Sequence, residues 1–122
     1  MVPEIKSHLL ISGESLESYK PEDPRNFSLV LRLMVGPRGQ PGEESFDITI
    51  CTPASLAEQC AASGFVLGRH QLIVAAYVPS MIMDVVTRLV ARCSGLSWTE
   101  VSSKIARIAL GEFEDYKAVP GG

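Results

Sequence analysis

Hydrophobic and polar residues alternate along two neighbouring stretches of the chain, and this alternation predicts two β-strands. In Phe27–Val35, every second residue is a large hydrophobic one, so one face of the strand is apolar. Glu44–Cys51 alternates in the same way. Between them, Gly36–Gly42 holds three glycines and two prolines, which predict a loop. We therefore expect an antiparallel hairpin with one buried face.

Two other segments are also expected to be strands. Glu4–Ser12 predicts a first strand, and Gly13–Asn26, rich in Glu, Ser, Pro and Asp, predicts a mobile connection after it. Gln71–Tyr77 is almost continuously apolar. Such a run predicts a strand that is buried on both faces, near the centre of a sheet.

Three helices follow from residue spacing and from capping residues. Thr52 can cap a helix over Ala54–Ser63, with Pro53 suited to its first position and Gly64 to its end. Leu56 and Cys60 share one side of this helix. Ser80 can cap a second helix, whose apolar residues recur at helical spacing: Ile82, Val85, Val86, Leu89, Val90 and Cys93.

The third helix begins with a capping box, in which the Ser97 hydroxyl and the Glu100 carboxylate each satisfy a free amide of the first turn. Its buried stripe is predicted to comprise Trp98, Val101, Ile105 and Ile108.

The predicted element order is β-β-β-α-β-α-α, and the fold class is α+β. We expect a two-layer sandwich in which three helices cover one face of a mainly antiparallel four-stranded sheet. The other sheet face, with Arg32, Asp47 and Thr49, would stay partly exposed. Residues 1–122 form a single domain in this prediction, and the last few residues form a flexible tail.

Composition favours an ordinary globular protein, since 46% of the residues are hydrophobic and 20% are charged. The net charge of −3 argues against a nucleic-acid partner. The three cysteines are far apart, which favours a reducing compartment. The chain opens on no signal-peptide pattern, and its longest apolar run, Leu72–Val78, is too short to cross a bilayer. We expect a cytoplasmic protein without a membrane partner.

The sequence offers little catalytic chemistry. His8 and His70 are isolated, and no serine or cysteine lies in a known nucleophile motif. The cysteines lie nine and thirty-three residues apart, unlike the close ligand pairs of structural zinc sites, so Cys60 and Cys93 are expected to be core residues. The glycine-rich loop joins two strands rather than opening a helix, so it does not indicate a phosphate site. We therefore expect no catalytic residue, metal or cofactor.

One segment near the end of the chain stands out. Glu112-Phe113-Glu114-Asp115-Tyr116 combines three carboxylates with two aromatic rings. Acids at a chain end are often only solvated, but aromatics surrounded by charge are typical of protein-binding surfaces. The acids also follow the last predicted helix, where its dipole disfavours negative charge, and a cationic partner would offset that cost.

Four features in this order resemble immunity protein family eight of bacterial polymorphic toxin systems. They are Cys51-Thr52-Pro53 after a strand, the apolar strand Gln71–Tyr77, Gly95–Glu100 (GLSWTE) and the closing Glu112–Tyr116 (EFEDY). The resemblance covers about Phe27 to Tyr116. In the family a tryptophan often precedes the final acids, whereas this chain has Gly111 there.

The resemblance implies a non-catalytic antidote that binds a cognate toxin domain and blocks its active site. The acidic segment would then meet a basic toxin surface through Glu112, Glu114 and Asp115, with Phe113 and Tyr116 supplying apolar contact. Two alternatives stay open at this point. One is a generic interaction or homo-oligomeric module that associates through an exposed sheet face or edge. The other is an enzyme with an unfamiliar acidic site.

Overall fold

The computed structural model describes residues 1–112 and places them in five strands and three helices. The elements are β1 (Pro3–Leu10), β2 (Ser28–Pro37), β3 (Glu44–Cys51), α1 (Pro53–Ser63), β4 (Gln71–Ile73), α2 (Pro79–Ala91), α3 (Trp98–Ile105) and β5 (Leu110–Gly111). The α+β class and the predicted order of the first seven elements are confirmed. The strand β5 was not predicted.

The sheet is mixed, with strand order β1-β2-β3-β4, and β5 also pairs with β3. β1, β2 and β3 are antiparallel, as predicted, but β4 runs parallel to β3 and β5 antiparallel to it. The expectation of four mainly antiparallel strands therefore needs correction. The connection through α1 brings the chain back so that β4 has the direction of β3, which a hairpin cannot do.

One hydrophobic core joins a single face of the sheet to two helices. The predicted alternation holds, because Leu31, Leu33 and Val35 of β2 and Phe46, Ile48 and Ile50 of β3 are all buried. α2 and α3 cover them with a further set of buried side chains: Ile82, Val86, Val90, Val101 and Ile105. α1 contributes none of its residues to this core, so the two-layer arrangement rests on α2 and α3.

β4 is a short edge strand rather than the predicted central one. It pairs over only Gln71–Ile73, and Ile73 is 54% exposed. The chain then leaves the sheet, and Tyr77 packs edge-to-face against Phe27. The apolar run is therefore divided between a strand edge and a loop that packs on the core.

The connection between β1 and β2 is anchored, contrary to the expected mobility. Leu16 is fully buried in the core, and its carbonyl oxygen accepts a 2.5 Å hydrogen bond from the Tyr77 hydroxyl. Tyr19 packs edge-to-face on the same ring. Two apolar side chains within a polar segment thus fix the connection to the loop that follows β4.

The helix ends agree with most of the predicted caps. The Thr52 hydroxyl accepts a hydrogen bond from the Ser55 amide, and Gly64 ends α1 in the left-handed conformation (φ 87°). Ser97 caps α3 in the same way through the Glu100 amide. The Glu100 carboxylate, however, accepts a hydrogen bond from the Leu96 amide, whereas a capping box would pair it with the amide of the next residue, the N-cap Ser97.

Two predictions for the helices are wrong. The N-cap of α2 is Val78, which has no side-chain hydrogen bond, and Ser80 lies inside the helix. Pro79 in the first turn supplies the start instead, because its fixed φ suits that position. Cys60 is exposed rather than in the core, since α1 turns Ser55 inward, whereas Cys93 is buried as predicted.

Candidate interaction surface

The acidic-aromatic segment begins at the edge of the sheet. β5 pairs Leu110 with Asp47 and Gly111 with Phe46, and this brings the chain alongside β3 directly before Glu112. Of the five predicted binding residues, Glu112 alone lies within the described residues. Phe113, Glu114, Asp115 and Tyr116 lie outside them.

Glu112 is held by two hydrogen bonds to one residue of β3. Its backbone amide donates to the Ser45 carbonyl (3.0 Å), and its carboxylate accepts from the Ser45 amide (2.8 Å). The backbone bond continues the antiparallel pairing of β5 by one residue. Glu112 therefore has a structural contact at the sheet edge in addition to its charge.

Gly111 fits closely against the core. A Cβ atom at this position would lie 3.2 Å from Cε1 of Phe46, a contact that requires the ring to give way. The absence of a side chain at Gly111 thus matches the buried position of the Phe46 side chain. A larger residue here would need a rearranged Phe46.

The sheet face opposite the core carries an ion pair between β2 and β3, which agrees with the prediction that this face stays partly exposed. Arg32 binds Asp47 through two hydrogen bonds, Nε to Oδ1 (2.9 Å) and Nη2 to Oδ2 (3.0 Å). The pKa of Arg32 is raised, first by this hydrogen bond and the charge of Asp47, and to a smaller extent by the charge of Glu112. The acidic segment thus starts within electrostatic range of this face.

Leucines lie on both sides of the ion pair. The strand register places Leu9, Arg32, Asp47 and Leu110 in line across four strands, and we name these four residues the central row. Leu9 is 46% exposed and Leu110 is 43% exposed. The strand alternation predicts the two charged residues on this face but neither leucine, because the sequence does not predict the register of β1 or the existence of β5.

The described residues include both histidines and all three cysteines of the chain. His70 Nε2 lies 2.8 Å from the Ala106 carbonyl oxygen, and His8 Nδ1 is buried without a hydrogen-bond partner among residues 1–112. Burial raises the pKa of the Cys51 and Cys93 thiols, which makes them poorer nucleophiles. In the described part of the chain, no three His, Cys, Asp or Glu residues come together to hold a metal ion.

The helices of the described residues are too short or too polar to cross a bilayer. The loop after β2 joins it to β3, as predicted for the glycine-rich segment.

Comparison with protein families identifies the chain. The sequence model described as Immunity protein 8 matches residues 4–116, which include β1 from its second residue, the other four strands and the whole acidic-aromatic segment. The chain belongs to the immunity protein 8 family. The match confirms the resemblance drawn from the sequence motifs and extends it towards the N-terminus as far as β1. No curated protein and no solved structure matches the chain.

Proposed function

We propose that this member of the immunity protein 8 family binds a cognate bacterial toxin domain in the cytoplasm and blocks its active site, without catalysis of its own. The family match over residues 4–116 is the observation that carries the proposal. The composition, that of an ordinary globular protein with a net charge of −3, is consistent with a role in binding a protein.

The acidic-aromatic segment, residues 112–116, is the proposed contact with the toxin. Glu112 is hydrogen-bonded to Ser45, so the first residue of the segment is already held at the sheet edge, and less conformational entropy of this residue is lost when it binds. Its acids would meet the basic groups of a toxin that acts on nucleic acid. Charge speeds such an encounter and selects the partner, while Phe113 and Tyr116 would supply more of the affinity.

Glu112 is not the best of the three acids to change in an experiment. Reversing the charge of Glu112 would also break its hydrogen bond to the Ser45 amide. The sharper variant is therefore Glu114→Lys/Asp115→Lys, which leaves Glu112 in place. A matched control is Glu17→Lys/Glu22→Lys, which makes the same change in net charge on exposed residues of the β1–β2 connection.

The measurement is the survival of cells that express the cognate toxin domain together with this chain or its variants. We expect the wild-type chain and the control variant to protect the cells, and the Glu114/Asp115 variant to lose protection while keeping its circular dichroism spectrum. If the Glu114/Asp115 variant protects as well as the control, the acids do not contact the toxin. If the wild-type chain itself fails to protect, the proposed function is wrong for this toxin.

A further inference from the structure

The central row is complementary to itself in reverse order, because leucine then matches leucine and arginine matches aspartate. Reading across the strands from β1 to β5, it runs leucine, arginine, aspartate, leucine. Both leucines are more than two-fifths exposed, and the Arg32 and Asp47 side chains are 51% and 25% exposed. An apolar group thus ends the row on each side, and opposite charges lie at its centre.

We propose that this sheet face binds a second copy of the chain, with the two central rows against each other in a two-fold symmetric dimer. The symmetry axis would lie in the interface, parallel to the strands and between β2 and β3. Because neighbouring strands are about 4.8 Å apart, rotation about this axis places each position of the row over its mirror position. Leu9 then faces Leu110 of the second copy, and Arg32 faces Asp47 of the second copy.

The adjacent rows of the same face are compatible with this arrangement. On one side, the register aligns Ser7, Met34 and Ser45, so Met34 would face a serine of the second copy. On the other side, Val30 is aligned with Thr49, and these two would face each other across the axis. Neither row places like charges opposite each other.

The extent of the face predicts a weak dimer. Cys51 falls on this face by the strand alternation but is fully buried, so the face is closed at that end. Three rows across four strands cover about 400 Å² per copy, half of the roughly 800 Å² per partner in a standard interface. We therefore expect association that depends on concentration, with the leucines supplying attraction and the charges setting the register.

This proposal goes beyond the proposed function, because it concerns a second copy of the chain rather than the toxin. It can fail while toxin binding stands, and the reverse also holds, because the self-association experiment uses no toxin.

Sedimentation velocity of the full chain, from micromolar to near-millimolar concentration, tests the proposal. The wild-type chain should shift from monomer to dimer over this range. Arg32→Asp and Asp47→Arg should each weaken dimerisation by about tenfold or more, because each places like charges opposite each other at both central positions. Arg88→Asp is the matched control, since it breaks a comparable exposed ion pair with Asp84 on α2 and should leave dimerisation unchanged.

The decisive sample is an equal mixture of the Arg32→Asp and Asp47→Arg variants. In the mixture, opposite charges face each other again, so a heterodimer should form at concentrations at which each variant alone is monomeric. Circular dichroism of each variant checks its fold. A wild-type chain that stays monomeric, or a mixture with no heterodimer, would overturn the proposal.

Discussion

Leu16 anchors the β1–β2 connection, which the sequence predicted to be mobile. Its side chain is fully buried in the core, although the segment around it is rich in polar residues. Its carbonyl oxygen also accepts the Tyr77 hydroxyl. The substitution Leu16→Ala removes the apolar contact and leaves the backbone hydrogen bond possible.

The expected cost follows from the size of the side chain and from its surroundings. Truncating a fully buried leucine costs about 2–5 kcal/mol, and a connection at the surface can partly collapse into the gap, so we expect about 2–3 kcal/mol. The matched control is Leu67→Ala, in the loop between α1 and β4, where the leucine is 76% exposed. Surface substitutions of this kind change stability by less than about 0.5 kcal/mol.

Urea unfolding followed by circular dichroism measures both variants. Leu16→Ala should lower the midpoint by about 1–2 M at an unchanged slope, because the slope reports the surface exposed on unfolding. Leu67→Ala should keep the wild-type midpoint. If the two variants unfold at the same urea concentration, the connection is not anchored by Leu16 and this reasoning is refuted.

Three other predictions concern caps, pH and thiols. Ser97→Ala should cost about 1 kcal/mol in urea unfolding through loss of the α3 cap, whereas Ser80→Ala should have no such effect, since Ser80 caps nothing. The pKa of Glu100 is lowered, chiefly by the hydrogen bond from the Leu96 amide, so Glu100→Gln should be less stable than wild type above the ordinary glutamate pKa. The difference in stability should vanish as the pH falls through the lowered pKa of the folded protein. A difference that persists in acid would contradict this cause. One thiol per chain should react rapidly with a disulfide reagent under native conditions, and Cys60→Ser should abolish that phase, because the other two cysteines are buried.

Much of the fold could be predicted from residue periodicity. β2 and β3 alternate cleanly, because one face is buried against helices and the other remains accessible, and the bounds of β3 were predicted residue for residue. The start of α3 was predicted from Ser97, because a capping side chain bonds an amide only three residues further along the chain. In such elements, local chemistry and tertiary packing agree.

The elements that were missed depend on contacts distant in sequence. β5 has only two residues, and its pairing with Phe46 and Asp47 joins positions more than sixty residues apart, so no local sequence pattern predicts it. The position of β4 at the sheet edge also depends on distant contacts. An apolar run indicates that a segment is buried but does not show which elements cover it. Leu16 shows the same limit, since one leucine in a polar segment carries no periodicity.

The candidate surface was predictable in its residue types and not in its arrangement. The acids and aromatics of residues 112–116 stand out in the sequence, and Arg32 and Asp47 follow from strand alternation. Two features could be found only from the strand register: the hydrogen bonds between Glu112 and Ser45, and the positions of Leu9 and Leu110 on either side of the ion pair. Register is decided by the pairing of whole strands rather than by any one residue.

Calorimetric titration of this chain into a purified candidate toxin domain, with toxin activity measured on the same samples, tests most directly whether the chain binds and inhibits a toxin. We expect a saturable complex whose formation reduces the toxin activity in proportion to the fraction bound, and a marked loss of affinity for Glu114→Lys/Asp115→Lys but not for Glu17→Lys/Glu22→Lys. If no complex forms, or if the toxin in the complex remains fully active, the proposed function is wrong.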